Sequence, residues 1–156
     1  MEKKKLDKIK KTYSSLQKKY KLPDFDKVYQ EFEIVDIEED FVLKSVLSRM
    51  RKKIVNCIGI ILPPIHPNDS SLHSLIESDI LSKEEKHNMY KLYRKLNHLY
   101  HNSLASSFKD EKNIAESIKI IWKQWPEIKN EMANILSKLT AGWKKEAEEE
   151  KVEYYG

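Results

Sequence analysis

A chain of 156 residues with one cysteine is long enough for a single domain that buries about 68–70% of its unfolded surface, so no disulfide or metal staple is required. Charged residues make up 35% of it, the formal net charge is +4 and there are three glycines, a composition that favours helix over strand and turn. Its longest apolar stretch, Ile54 to Leu62, is broken by Asn56 and is too short to cross a bilayer.

Cys57 alone cannot form an internal disulfide, which points to a reducing compartment. It falls among apolar neighbours and reads as an inert packed thiol. The N-terminus, MEKKKLDKIKK, has basic residues with no apolar segment behind them, so no signal peptide is read there. A cytoplasmic location without membrane attachment is the expectation. Charge is unevenly spread. Met1 to Leu22 carries nine lysines against Glu2 and Asp7, Pro23 to Leu43 carries eight carboxylates against Lys27, and Lys44 to Lys53 is basic again. Neighbouring blocks of opposite sign are able to pair within a fold, so they do not by themselves imply an outside partner.

The first helix is predicted from Glu2 to Leu22. Leu6, Ile9, Tyr13, Leu16 and Tyr20 repeat at three- and four-residue steps, a narrow seam suited to a bundle. Pro23 disfavours the helical conformation at Leu22 and is expected to end it. A short helix over Asp24–Glu33 follows, with Phe25, Val28, Tyr29 and Phe32 inward. Glu33 to Ile37 alternates like a strand, but no second strand is available to pair with it.

The organising element is Glu39 to Leu62. Leu43, Val46, Leu47, Met50, Ile54, Cys57, Ile58 and Ile61 share one side, and Val42, Val55, Ile60 and Leu62 widen it. A helix this apolar is enclosed by others, and at 1.5 Å per residue it is about 36 Å long. Asp36 is expected to cap it with Glu39 in a capping box, and the acidic start suits the helix dipole. A buried strand over Val55–Leu62 is the competing reading, but the unbroken Met50–Ile54–Ile58–Ile61 register favours helix. Pro63 and Pro64 are expected to end it in a stiff loop, LPPIHPNDSS.

A short helix around Ser71–Asp79 carries Leu72, Leu75 and Ile76. Ser82 opens the next through a capping box with Glu85, and Met89, Leu92, Leu96, Leu99 and Ser103 form its buried line as far as Ser107. Asp110 is expected to cap a last helix through Ile114, Ile118, Ile121, Trp122 and Trp125. Pro126 should kink that helix or start another, and Ile128, Met132, Ile135, Leu136, Leu139 and Trp143 continue the apolar face. Fraying is expected after about residue 145. Helical spacing assigns the three tryptophans to packing, with an aromatic groove for a partner helix as the lesser reading.

Candidate chemistry concentrates on the Ser82–Ser107 helix. His87, Tyr90, Arg94, His98 and His101 form one stripe opposite the leucines. Arginine offers a planar donor fork for phosphate and histidine moves protons near neutral pH. The pair Arg94 and His101, with six residues between them, resembles the arginine-to-histidine spacing of HEPN-type ribonucleases. That resemblance implies a helical fold in which Arg94 and His101 hold and cut an RNA backbone; His98, a further candidate on the stripe, forms an Arg94–His98–Tyr100 trio one residue short of the common spacing. Lys95 replaces the polar residue usual after the arginine, and a solvated outer face is the leading reading of the stripe.

Other chemistry has less behind it. Glu84 and His87 make a Glu-x-x-His pair, but a di-iron bundle needs a second one. His98 and His101 lie one turn apart with no third ligand evident. His66 and His73 beside the proline loop read as surface residues. No Gly-x-Ser-x-Gly turn or glycine-rich phosphate loop occurs. Phosphate contacts are offered by the stripe Lys4, Lys8, Lys11 and Lys18 and by the cluster Arg49, Arg51, Lys52 and Lys53. Only three arginines occur in the chain, and no helix-turn-helix pattern is present.

The sequence therefore predicts a single all-α domain, a bundle of six or seven helices around residues 39–62, without cofactor or metal. A non-catalytic interaction or adaptor module with a protein partner is the leading reading. RNA or DNA binding through the basic first helix and the Arg49–Lys53 cluster is the alternative, and a HEPN-like nuclease using Arg94 and His101 is the third.

Overall fold

Glycine scarcity and helical periodicity act in the same direction along the whole chain. The structure, a computed structural model, describes the backbone of residues 3–155 and the side chains of residues 3–149. Among these the all-α expectation holds. The elements are α1 (Lys3–Tyr20), α2 (Phe25–Phe32), a 3-10 turn (Glu39–Phe41), α3 (Val42–Ile65), α4 (Leu72–Ile80), α5 (Lys83–Ser107) and α6 (Glu111–Tyr155), with no strand. The backbone groups into two compact units, Met1–Asn56 with Asn97–Trp125 and Cys57–Leu96 with Pro126–Gly156. Helices α3, α5 and α6 each contribute to both.

In the first unit the predicted ridge of α3 is buried: Val42, Leu43, Val46, Leu47, Met50 and Ile54 are almost inaccessible to water. Ile9 and Tyr13 of α1, Phe25, Val28 and Phe32 of α2 and Ile114, Ile118 and Ile121 of α6 are buried with it. The alternating stretch after α2 is a loop that buries Ile34 and Ile37. Tyr13 joins the first two helices. Its hydroxyl donates to the Pro23 carbonyl at 2.9 Å, and its ring lies 5.0 Å from that of Phe25. Burial, then the Asp24 carboxylate, holds the Tyr13 phenol above its ordinary value, because both disfavour the phenolate. The opposed charge blocks do pair: Lys8 binds Glu39, and Lys10 meets Asp26 at 2.7 Å.

Helix ends depart from expectation for local reasons. Lys21 is left-handed, with φ 55°, and the Leu22 N–H returns to the Gln17 carbonyl at 3.2 Å. This closes α1 two residues before Pro23, in the manner usually given to glycine. Glu33 ends α2 the same way, with φ 49°. Asp36 does not cap α3. It has φ 58° and pairs instead with Arg49 at 3.3 Å, while the 3-10 turn is entered from Glu38 without a side-chain cap.

Pro63 and Pro64 do not end α3; both lie inside it. Each removes one bond to a carbonyl a turn earlier, at Gly59 and Ile60. Those two residues are exposed. The helix then closes on a side chain. The Ser74 hydroxyl donates to the Pro63 carbonyl at 3.2 Å and accepts from the Asn68 N–H at 2.8 Å. Pro126 likewise does not start a new helix, since α6 runs through it to Tyr155.

In the second unit Ile61, Leu81, Met89, Leu92, Leu96, Ile128, Met132, Ile135 and Leu139 are buried. The α5 capping box forms as predicted, Glu85 N–H to Ser82 Oγ at 3.2 Å and Ser82 N–H to Glu85 Oε2 at 2.9 Å. Asp110 caps α6 through the Asn113 N–H at 2.9 Å. The enclosure predicted for α3 is incomplete. Val55, Ile60 and Leu62, assigned to its buried side, are 44%, 36% and 37% exposed.

Two expectations follow. Tyr13→Phe leaves the Pro23 carbonyl without its donor and costs about 1–2 kcal/mol, read as a lower urea midpoint at unchanged m. Lys138, then the Ser82 backbone N–H, holds the Glu85 carboxyl below its ordinary 4.5. Its stabilisation is therefore complete above that value and is lost as pH falls through the lowered one. Melts from pH 6 to 3 should show Glu85→Gln less stable than the parent at the upper end, with the gap closing in acid.

Candidate functional site

The residues singled out in the sequence divide between solvated and structural roles. On α1, Lys4, Lys8, Lys11 and Lys18 are exposed, and Lys8 is paired with Glu39. The Arg49–Lys53 cluster is largely engaged inside its own unit. Arg49 donates to the Val35 carbonyl at 3.2 Å and to Asp36. Arg51 donates to the Ser103 carbonyl at 3.4 Å, and Lys53 meets Glu33 at 3.8 Å. Lys52 alone of the four has no such partner among the described residues.

On α5, His87, Tyr90, Arg94, His98 and His101 are all exposed. Arg94 lies 5.8 Å from the Tyr90 ring centre, and that ring stacks on Tyr93 at 6.2 Å. His101 Nδ1 is 2.8 Å from the Asn97 carbonyl. A carbonyl only accepts, so Nδ1 carries a proton and donates. None of these five lines the cleft between α5 and α6, the groove formed by α3, α4 and α6, or the pocket at the start of α3.

The first two of these hollows lie in the second unit and differ in kind. The cleft, of about 520 Å³, runs between α5 and α6. Its apolar floor, Leu81, Met89, Leu92 and Ile135, is between 2% and 8% exposed. The ion pairs Glu85–Lys138 at 2.5 Å and Lys95–Glu127 at 2.7 Å lie along it. It is a helix seam clasped by charge. The groove, of about 470 Å³, is formed by the end of α3, by α4 and by α6. Here apolar side chains meet water: Ile60, and Leu136 at 43% exposure, rim a floor that includes Leu139 and Pro63.

At one end of this groove sits a cluster only half visible in the sequence. Glu77 is only 7% exposed. Its Oε1 accepts from Trp143 Nε1 at 3.2 Å and faces His73 Nε2 at 3.2 Å. The imidazole stacks on the indole with centres 5.1 Å apart and planes 24° apart. A carboxylate opposite Nε2 keeps a proton on that nitrogen, leaving Nδ1 of a neutral ring as the acceptor. The His73 side chain is 62% exposed, as a surface residue should be, yet its plane is fixed from two sides. His73 and Glu77 stand four residues apart on α4, so this half of the cluster was visible as an i, i+4 pair. Trp143 was not, since it comes from α6.

Gly142 brings Trp143 there. A Cβ at that position would lie 2.4 Å from Ile80 Cγ2 and 2.5 Å from Cγ1, so only glycine lets α6 come this close to α4. Gly59, on the same groove, has open space where its Cβ would be.

The groove offers no activated nucleophile. The Thr140 hydroxyl, its one alcohol, donates to the Leu136 carbonyl at 2.7 Å. Among the described residues no group of three or more His, Cys, Asp or Glu side chains is placed to hold a metal, and no helix is long and apolar enough to cross a membrane. No family model, curated protein or solved structure matches the chain.

The two glycines should respond oppositely to alanine. At Gly142 the clash with the branched carbons of Ile80 falls at the upper end of the usual overpacking penalty, about 1–3 kcal/mol, and outweighs the gain in helix propensity of about 1 kcal/mol. At Gly59 only that gain applies. Urea midpoints below the parent for Gly142→Ala and above it for Gly59→Ala are the expected result.

Proposed function

We propose that the protein is a non-catalytic helical interaction module that receives the apolar ridge of a partner helix in the groove between the end of α3, α4 and α6. The supporting observation is the exposure of Ile60 and Leu136 on either side of a floor made by Leu139 and Pro63. Apolar side chains held open to water around a preformed concavity gain most from covering by another apolar surface. A helix laid in a groove supplies that surface at three- and four-residue steps. The stacked His73 and Trp143 give the groove a rigid end, and rigid aromatics are frequent anchors in interfaces. The ribonuclease reading has less behind it, because Arg94 is stacked over Tyr90 and His101 donates to a backbone carbonyl.

The test is capture from native extract on the immobilised chain after nuclease treatment, beside the double variant Ile60→Glu/Leu136→Glu. Expected is a protein set that survives nuclease and is retained about tenfold less by the variant, with the far-ultraviolet dichroism of the two chains alike. Material released by nuclease, or held equally by the variant, would exclude this groove.

A further inference from the structure

A separate pocket lies in the first unit, at the start of α3. It is an open hollow of about 540 Å³, within the roughly 300–1,000 Å³ typical of small-molecule sites. One wall is the loop after α2, and it is firmly held. Arg49 donates to Val35 O and to Asp36, and the Ser45 hydroxyl accepts from the Glu38 N–H at 3.2 Å. That wall contains two left-handed non-glycine residues, Glu33 and Asp36, so the loop is kept in its shape against local preference.

Into this pocket the chain turns groups that form no ion pair or hydrogen bond among the described residues. Lys44 and Lys52 line it, are exposed, and have no carboxylate partner among the described residues. Ser48 stands midway between them, also exposed, and no bond among the described residues occupies its hydroxyl. Residues 44, 48 and 52 succeed one another at four-residue steps along a single helix stripe, about 6 Å apart in rise. Two flexible ammonium groups therefore flank one hydroxyl along the stripe, and their long stems allow both to reach an anion seated over Ser48. The Lys44 ammonium also lies 5.4 Å from the centre of the Phe41 ring. Phe41 is 52% exposed, an aromatic face that the core does not use.

Glu38 lines the same pocket and forms no ion pair among the described residues. A phosphate carried on a sugar offers that carboxylate a partner that a bare phosphate lacks, because sugar hydroxyls donate to carboxylates. A pair of lysines about a hydroxyl, a half-exposed aromatic ring and a carboxylate acceptor in one pocket match the three parts of a nucleotide. We propose that this pocket binds a nucleotide, with its phosphate between Lys44 and Lys52 over the Ser48 hydroxyl and its base against Phe41.

The experiment is calorimetric titration of the full chain with AMP and UMP, with adenosine and inorganic phosphate as controls, and with an eight-residue single-stranded RNA. Expected is saturable one-site binding of the mononucleotides, with adenosine and phosphate each weaker by about tenfold or more. Lys44→Ala/Lys52→Ala should weaken AMP by about tenfold or more, and Phe41→Ala by about fivefold or more. Dichroism should be unchanged in both, since all three side chains are exposed. RNA binding no tighter than AMP points to a free nucleotide; tighter binding that falls steeply with salt points to a strand. Either supports the site. Absence of saturation by about 10 mM nucleotide, where binding is weaker than about 3 kcal/mol, overturns the proposal. So does phosphate binding equal to AMP, or binding unchanged in both variants.

Discussion

The first unit depends on the removal of one aliphatic ridge from water. Val42, Leu43, Val46, Leu47, Met50 and Ile54 of α3 are all buried, and fully burying each such side chain is favourable by about 1.5–3 kcal/mol. Helical geometry then settles where the intervening polar residues go. With the ridge inward, Lys44, Ser48 and Lys52 have to lie outward. The core and the cationic stripe are two sides of one periodicity. The acidic segment before α3 balances the basic helix before it, through Lys8 with Glu39 and Lys10 with Asp26. It does not extend to neutralising the stripe.

Past Ile54 the same helix is less well covered. Ile61 is buried, but Val55, Ile60 and Leu62 are open to water. An apolar side wider than the elements packed on it leaves a margin, and in the second unit that margin becomes a groove. Its far wall exists because Gly142 lets α6 approach Ile80 of α4. The same approach carries Trp143 to Glu77, and Trp143 with His73 covers a carboxylate that would be unfavourable if buried alone. One missing side chain thus sets the helix spacing, the aromatic stack and the hydrogen bonding of a buried acid.

Arginine placement shows which cationic donors the fold already uses. An arginine that recognises a nucleic-acid backbone has to present its donors outward. Arg49 and Arg51 direct theirs to backbone carbonyls within the first unit, Val35 O and Ser103 O. Arg94 faces an aromatic ring on its own helix. These contacts fix loops and helix surfaces. Many of the lysines, whose ammonium groups are more strongly hydrated, are left on the outside, and where Lys44 and Lys52 flank Ser48 the surface is concave.

Much of this was readable in the residues themselves. Three- and four-residue spacing located the helices, the Ser82–Glu85 box and the Asp110 cap were visible as local patterns, and the inward line of α5 followed from its leucines. Local signals misled where a neighbour overruled them. Helix α3 continued through Pro63 and Pro64 to close on Ser74, Lys21 closed α1 ahead of Pro23, and Arg49 took Asp36 away from its expected cap. The His73–Glu77 half of the groove cluster was present as a spacing, but Trp143 stands 66 positions from Glu77, and no local pattern joins them. The sequence by itself determined what is helical and which side of each helix is apolar, because both follow from short-range geometry. Only the tertiary structure decided how much of that apolar side is covered and which charges are used up, because both depend on which distant helices come together and how closely.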